Sequence, residues 1–315
     1  MSSEYSVITR SVAQHFLENL RKSLDMDALA NLVQLDIDQL EQQVDMSIAE
    51  AMQTLSLLHG FPYRPGSRAL EVGAGFGFAS LALASFGYQV TALEPGGIGF
   101  NQNRTIAAHV LSVSGLHVEY LDATVEEVVF SEPQSFDLIF SNNVMEHIDD
   151  VEIGLQNLTT ALGAYGIMVH SCPNYAFPFE PHFAIPLLPI FPKLTRFFLP
   201  KKISESGLWK SLNFISYRQV RSFSRKSNLF MAVEKGTMLA SLIRLQSDTE
   251  FASRHKALKR IVDNPFLFAV LRRSLTLPMS LATPMNFVLA HASPDLNWSE
   301  RHWRIKPPKN VSAAD

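Results

Sequence analysis

Apolar side chains in the first sixty residues recur at the three- and four-residue spacing of amphipathic helices. One run covers residues 16–24 and a second covers residues 37–58, and Asp25 or Asp27 can cap a helix between them. Glycine and proline residues at positions 60–66 then interrupt the pattern. We therefore predict a helical N-terminal extension or cap over residues 1–66 that ends in a linker.

Short apolar runs alternate with helix-length segments from residue 67 onward. Strands are predicted at residues 69–72, 90–93, 118–121, 138–140 and 167–170, and helices at residues 78–86, 98–113 and 151–163. This alternation predicts an α/β fold in which right-handed crossovers wrap a parallel sheet. Gly87, Gly115 and Gly166 stand where helices should end and the next strands begin.

The alternation lapses after Ser171, where two insertions are predicted at about residues 178–213 and 243–283. The remaining elements are a helix at residues 216–224 and strands at residues 230–234 and 285–290. Two late strands joined by a long connection are expected to form an antiparallel hairpin at the sheet edge. We therefore treat residues 67–315 as one domain that carries both insertions.

Composition places this chain of 315 residues among globular proteins, because 47% of its residues are hydrophobic and 18% are charged. Disordered, collagen-like and coiled-coil classes are excluded. The single cysteine, Cys172, and the lack of a signal-peptide pattern make the cytoplasm the expected location. The longest apolar stretches, at residues 183–192 and 265–271, are too short for a spanning helix, and no cysteine–histidine spacing suggests zinc.

The charge is divided unevenly along the chain. Residues 1–177 carry a net charge of -15 and residues 178–315 a net charge of +12, while the whole chain carries -3. The two halves can face each other across the fold, or the basic half can attract an anionic partner. Nucleic acid is a disfavoured partner, since the sequence pI is about 6.4 and no basic, aromatic-interleaved strand face is apparent.

Three glycines, Gly73, Gly75 and Gly77, follow the first predicted strand of the sheet. Glycine at such a turn lets backbone amides approach a ligand closely. The spacing does not match the dinucleotide fingerprint, because Phe78 occupies the position where that fingerprint needs glycine or alanine. The motif therefore argues against NAD.

Polar residues also end the next three strands. Glu94 closes the second strand, about 20 residues after the glycine turn, where a carboxylate can accept from two ribose hydroxyls. Asp122 ends the third strand and can accept from an exocyclic amine, and Asn142 ends the fourth. Polar groups at consecutive strand ends predict a ligand crevice in an open α/β sheet.

These motifs resemble the class I S-adenosylmethionine-dependent methyltransferases, in the type 11/12-like branch whose fourth motif ends in Glu-His. The resemblance is strong over residues 67–175, and it implies a Rossmann-like, doubly wound, mostly parallel seven-stranded sheet, a transferase activity and S-adenosyl-L-methionine as cofactor. The implied cofactor-binding residues are Glu71, Gly73, Ala74, Gly75 and Gly77 for the methionine portion, Glu94 with Pro95 for the ribose, Asp122 with Ala123 for the adenine, and Asn142 for the far wall.

An enzyme that catalyses methyl transfer mainly aligns the nucleophile, the methyl group and the sulfur. A general base is also needed where the acceptor is a hydroxyl, which must lose its proton. His147, preceded by Glu146, is the first candidate base, or else it packs at the start of its helix. Relatives with quinone-type phenol acceptors carry an acid where Asn143 stands, and they form a metal site with the Glu-His pair. That departure leads us to expect no metal.

Glu180 and His182, in the first insertion, are the other catalytic candidates. They can act as an acid/base pair on the acceptor side, supply oxygen and nitrogen ligands that replace the one missing at Asn143, or anchor a proline-rich loop. Residues 183–202 interleave apolar groups with cations, which suits a lid over an apolar pocket or a contact with an anionic bilayer; prolines favour the lid. The second alternative would place the protein peripherally on the inner face of a membrane.

We therefore expect O-methylation of a small-molecule, lipid-linked or glycan acceptor. A non-catalytic cofactor-binding or assembly module is the alternative, because a fold does not prove activity. An NAD-dependent oxidoreductase is the third interpretation, and Phe78 is its main obstacle.

Overall fold

The computed structural model describes residues 6–96, 101–128, 130, 135–247, 252, 256–274, 281–291, 295–297 and 302–304. The chain divides into two compact units. The first comprises Met1–Asn142, Glu152–Val169 and Leu289–Asp315, and the second comprises Asn143–Val151 and His170–Val288. The boundary expected at residue 66 lies inside the first unit.

Three helices form the N-terminal part: α1 (Arg10–Ser23), α2 (Met26–Val33) and α3 (Ile37–Leu57). Asp25 caps α2, because its side chain accepts a 3.0 Å hydrogen bond from the Ala28 N–H. Asp36 caps α3 in the same way. The helical prediction for this region is confirmed.

The predicted linker at residues 60–66 contains a short strand. β1 (Ser6–Val7) pairs antiparallel with β2 (Pro62–Tyr63). The pairing holds the start of the chain against the segment that leads into the sheet, so the glycines and prolines there do not form an open linker.

A seven-stranded sheet organises the fold, in the order β10-β11-β7-β6-β3-β4-β5. Its strands are β3 (Arg68–Val72), β4 (Gln89–Leu93), β5 (Glu119–Leu121), β6 (Phe136–Asn142), β7 (Leu162–Cys172), β10 (Phe230–Val233) and β11 (Met285–Ala290). β3 runs parallel to both β4 and β6, and β4 runs parallel to β5. The two late strands are neighbours at one edge, as the sequence predicted.

Helices follow the strands at the expected places: α4 (Phe78–Ser85), α5 (Asn101–Ser114) and α6 (Val151–Ala161). The predicted start of α5 at residues 98–100 lies outside the described residues. Gly87 and Gly115 end helices with positive φ angles. Gly166 was assigned wrongly, because it lies inside β7, where a Cβ atom would collide with the carbonyl oxygen of Phe136.

The first insertion contains short elements only. They are the paired strands β8 (Phe179–Glu180) and β9 (Ile185–Pro186), a 3-10 helix (Pro192–Phe198), α7 (Lys201–Ser204) and α8 (Gly207–Ser211). The helix α9 (Tyr217–Lys226) then begins at a capping box formed by Ser216 and Gln219.

The second insertion contains helices in its described part: α10 (Thr237–Ser247), α11 (Lys256–Asp263) and α12 (Pro265–Ser274). Leu242, Leu245 and Val262 form its small core. Residues 295–297 (β12) and 302–304 (β13) pair antiparallel. Among the described residues, no helix combines the length and the apolar character needed to cross a bilayer.

Candidate functional site

The glycine turn after β3 is open on one side. Gly73, Gly75 and Gly77 all have positive φ angles, a backbone conformation that favours glycine. The N–H groups of Gly73 and Ala74 donate to the carbonyl of Leu93 at 2.8 and 3.0 Å. A Cβ built on Gly75 meets no described heavy atom within 4 Å. The turn is therefore fixed to β4 yet leaves space beside Gly75.

Glu94 lies at the end of β4 beside this turn. Its Oε2 accepts a 3.0 Å hydrogen bond from the Gly75 N–H. Burial raises the pKa of Glu94, while the hydrogen bonds from Gly75 and Asn103 act to lower it. The structure thus places the predicted ribose acceptor against the predicted methionine-binding turn.

Tyr120, in β5, was not predicted from the sequence. Its hydroxyl donates to the carbonyl oxygen of Gly75 at 2.5 Å, and its ring lies 3.9 Å from a Cβ built on Gly77. Burial raises the pKa of this phenol, which stays protonated and keeps its role as donor. Together with Glu94, Tyr120 holds both backbone polar groups of Gly75.

Asp122 follows β5 and accepts from the Gly96 N–H at 2.6 Å through Oδ1. Its Oδ2 accepts from Arg104 at 2.5 Å in a partly exposed ion pair. Both carboxylate oxygens therefore already accept from the protein, and a bond to an adenine amine would use a remaining lone pair. Pro95 is exposed, and Ala123, which follows Asp122 in the chain, is half-buried.

Glu71 is buried inside the first unit and accepts from the Ser80 hydroxyl at 2.5 Å. Burial raises its pKa to about 8, although the hydrogen bonds from Ser80 oppose the rise. Its contact with Ser80 links β3 to α4 on either side of the glycine turn. Asn142, the predicted far wall, is half-buried at the end of β6.

The second unit contains a buried carboxylate, Glu146, in a 3-10 turn (Met145–His147). Glu146 is 0% exposed, and neither carboxylate oxygen has a hydrogen-bond partner among the described residues. Burial raises its pKa to about 7, while the nearby His182 acts to lower it. His182 Nε2 lies 3.9 Å from Glu146 Oε1.

Glu180 and His182 form a hydrogen-bonded pair. Glu180 Oε1 accepts from His182 Nδ1 at 2.6 Å, and Oε2 accepts from the Phe183 N–H at 2.7 Å. Burial acts to raise the pKa of Glu180, but the bonds from His182 and Phe183 outweigh it and lower the pKa. The ionised Glu180 therefore orients His182, and donation from Nδ1 puts the lone pair on Nε2.

His147 is held differently. Its Nδ1 lies 2.8 Å from the hydroxyl oxygen of Ser211, which itself donates to the Leu208 carbonyl. Burial, with His182 as the next cause, lowers the pKa of His147 to about 4. The two histidine rings lie 5.5 Å apart. His147 is thus a neutral imidazole at working pH.

Asn213 fixes the Glu146 turn, although no sequence motif predicted this role. Its side-chain amide donates to the carbonyls of Met145 and Ile148 at 2.7 and 2.8 Å, and its N–H donates to the Glu146 carbonyl at 2.9 Å. Asn174, which follows β7, anchors backbone through its buried amide, which donates to the Ala282 carbonyl at 3.0 Å.

One oxygen or nitrogen from each of Glu146, His147 and His182 lies within 4.8 Å of the others. Carboxylate and imidazole ligands in this number can hold a divalent cation. Asn143, the position that suggested no metal, is exposed and donates its N–H to the Ser171 carbonyl at 2.9 Å. The expectation of no metal stays a prediction.

A family model described as a methyltransferase domain matches residues 70–170, the segment that carries the glycine turn, Glu94, Asp122 and Glu146. The match supports the class I S-adenosylmethionine-dependent methyltransferases, the family that the sequence motifs resemble. The seven-stranded, mostly parallel sheet described above confirms the predicted fold, and the family model supports the predicted family.

The chain is 34% identical over 197 residues to an uncharacterized protein of Mycobacterium tuberculosis, with 60% of this chain and 66% of that protein covered. It is 33% identical over 93 residues to a ubiquinone biosynthesis O-methyltransferase of Xanthomonas campestris, with 27% and 34% covered. The chain thus spans 66% and 34% of the lengths of these relatives.

Among solved structures, phosphoethanolamine N-methyltransferase 2 of Haemonchus contortus, in complex with S-adenosyl-L-methionine, is similar with a TM-score of 0.43 and 17% identity. The similarity covers 78% of this chain and 51% of that one.

Within the chain, the predicted site residues fall into two groups. The first unit contains Glu71, Gly73, Ala74, Gly75, Gly77, Glu94, Pro95, Asp122, Ala123 and Asn142. The second contains Glu146, His147, Glu180 and His182, which the fold brings into one cluster although the sequence separates the two pairs. Their roles remain predictions.

Proposed function

We propose that this protein transfers the methyl group of S-adenosyl-L-methionine to an acceptor hydroxyl, with His182 as the general base. The observation that carries the proposal is the Glu180–His182 pair beside the buried carboxylate of Glu146. The cofactor assignment is supported by family membership and by the turn around Gly75.

The reaction is an in-line displacement at carbon. The acceptor O–H gives its proton to His182 Nε2, the O–CH3 bond forms as the CH3–S bond breaks, and the electron pair of that bond leaves with the sulfur as S-adenosylhomocysteine. Alignment supplies most of the acceleration, and general-base catalysis adds roughly 10²–10⁴-fold. Glu180 fixes the ring, and Glu146 at 3.9 Å stabilises the imidazolium that forms.

His147, the first candidate from the sequence, fits the role of base less well. Its pKa near 4 makes it a weak proton acceptor, and its Nδ1 is hydrogen-bonded to the neutral hydroxyl of Ser211, whereas His182 is paired with the carboxylate of Glu180. We assign it a positioning role beside His182. A small-molecule, lipid-linked or glycan acceptor remains the expected substrate class, and the net charge of +12 over residues 178–315 favours one that carries negative charge.

Binding is tested first, by isothermal titration with S-adenosylmethionine, S-adenosylhomocysteine and NAD in separate runs. We expect saturable binding of the two methionine-derived ligands and none of NAD. Binding of NAD alone would favour the oxidoreductase interpretation, and no binding by a folded chain would contradict the proposal.

Turnover is tested by S-adenosylhomocysteine release with a panel of phenols, sugar phosphates and lipid-linked saccharides. His182→Gln should lower kcat by roughly a hundredfold or more and leave S-adenosylmethionine affinity unchanged. His147→Gln is the matched control and should lower kcat less. An equal loss in both variants would remove the distinction between the histidines, and cofactor binding without any turnover would favour the non-catalytic module.

A further inference from the structure

A segment of the first insertion exposes an unusual amount of apolar surface. Four large side chains lie mostly in solvent: Ile190 is 88% exposed, Phe191 62%, Phe197 70% and Phe198 78%. Large aromatic side chains are normally buried, and a contiguous group of exposed ones marks an interaction surface. We call residues 188–202 the aromatic segment.

The aromatic segment is folded, with these side chains directed outward. Thr195 is buried, and its hydroxyl accepts a 2.9 Å hydrogen bond from the Leu188 N–H. The Leu194 N–H donates to the Phe191 carbonyl at 3.0 Å, in the first turn of the 3-10 helix. A lid over an apolar pocket would bury its aromatic rings, so the exposure argues against the lid favoured by the prolines.

Cations surround the exposed rings. Lys193, Arg196, Lys201 and Lys202 are all exposed, and the aromatic segment contains no acidic residue. The guanidinium of Arg196 lies 5.1 Å from the centre of the Phe197 ring. Apolar and cationic groups on one short segment complement a surface that is apolar inside and anionic outside.

We propose that the aromatic segment docks this protein onto an anionic lipid bilayer, independently of the methyl-transfer proposal. Phenylalanine and isoleucine side chains enter the boundary between headgroups and acyl chains, while the four cations meet acidic headgroups. A second copy of the chain fits the surface less well, because a two-fold contact would place like charges against each other.

The test is co-sedimentation of the full chain with vesicles of phosphatidylcholine alone and of phosphatidylcholine with phosphatidylserine. We expect binding to the acidic vesicles that weakens as salt rises, and little binding to the neutral ones. Phe197→Asp/Phe198→Asp should weaken the partition onto acidic vesicles by roughly tenfold or more. Lys201→Glu/Lys202→Glu should weaken it by a similar factor through charge alone.

Val12→Asp/Leu32→Asp is the matched control, because these apolar side chains are also more than half exposed and the charge change is the same. This control should bind vesicles like the wild type. Absence of binding to acidic vesicles, or equal losses in control and test variants, would overturn the proposal. Light scattering that shows a dimer in the wild type and a monomer in Phe197→Asp/Phe198→Asp would assign the surface to a second copy and also overturn it.

Discussion

Replacing Glu146 by glutamine should stabilise the protein at alkaline pH while lowering its activity. The Glu146 carboxyl is fully buried, and burial raises its pKa from 4.5 to about 7. In the unfolded chain it titrates near its ordinary value, so between these two pH values the folded protein holds a proton that the unfolded chain has lost. Stability contributed by the neutral form is therefore lost as the pH rises through that window.

The size of the effect follows from the displaced pKa. The free energy of unfolding of the wild type should fall by about 3 kcal/mol through this group between about pH 4.5 and pH 8. Glutamine resembles the protonated carboxyl in shape and has no charge, so Glu146→Gln removes this loss. The variant should match the wild type near about pH 5 and exceed it by a few kcal/mol near about pH 8.

Urea unfolding followed by tryptophan fluorescence measures the difference, with chelator present so that no cation compensates the charge. Burial also raises the pKa of Glu71. Because Glu71 is present in both proteins, comparing the variant with the wild type at each pH cancels its contribution to stability. Glu205→Gln is the control, because Glu205 is exposed. A stability difference that is the same at both pH values would refute the reasoning. Lower turnover in Glu146→Gln, despite its greater stability, would show that the charge serves function.

Three further predictions concern the glycines and Glu94. Gly75→Ala should cost about 1–2 kcal/mol of stability, because Gly75 has a positive φ angle, and it should also weaken S-adenosylmethionine binding in titration calorimetry. Gly66→Ala, at another glycine with a positive φ angle, should leave the affinity unchanged. Equal affinities in the two variants would contradict the assignment of Gly75 to the cofactor site. Glu94→Ala should weaken binding of S-adenosylmethionine and S-adenosylhomocysteine alike, by roughly 10–100-fold, since both contain the ribose; unequal losses would contradict the ribose role. Gly166→Ala should lower the unfolding free energy by about 1–3 kcal/mol because of the collision in β7, while the open Gly207→Ala should be near neutral; unchanged stability in both would contradict the packing argument.

Local patterns in the sequence were enough to predict much of the fold. The strands β3 and β4 begin within one residue of prediction, and β11 coincides with it, because a continuous apolar run indicates a strand covered on both faces. The helix after Ser216 was also predicted, since its cap lies beside the residues it serves. Such signals depend on neighbours along the chain.

Long-range packing decided the rest. Gly166 resembles a helix-ending glycine in sequence, but it lies inside β7, where the Phe136 carbonyl oxygen leaves no space for a Cβ atom. Prolines favoured a lid for residues 183–202, whereas the exposure of Phe191, Phe197 and Phe198 depends on which segments pack against them, which the prolines do not specify.

The sequence by itself was enough to predict the class of fold, the family, the glycine turn and Glu94 at the end of the next strand. Only the tertiary structure brought Glu146 to His182 and Glu180, fixed the Glu146 turn with Asn213, and hydrogen-bonded Tyr120 to the Gly75 carbonyl. The physical reason is that periodicity and capping depend on local spacing, whereas hydrogen bonds between distant segments depend on how the whole chain packs.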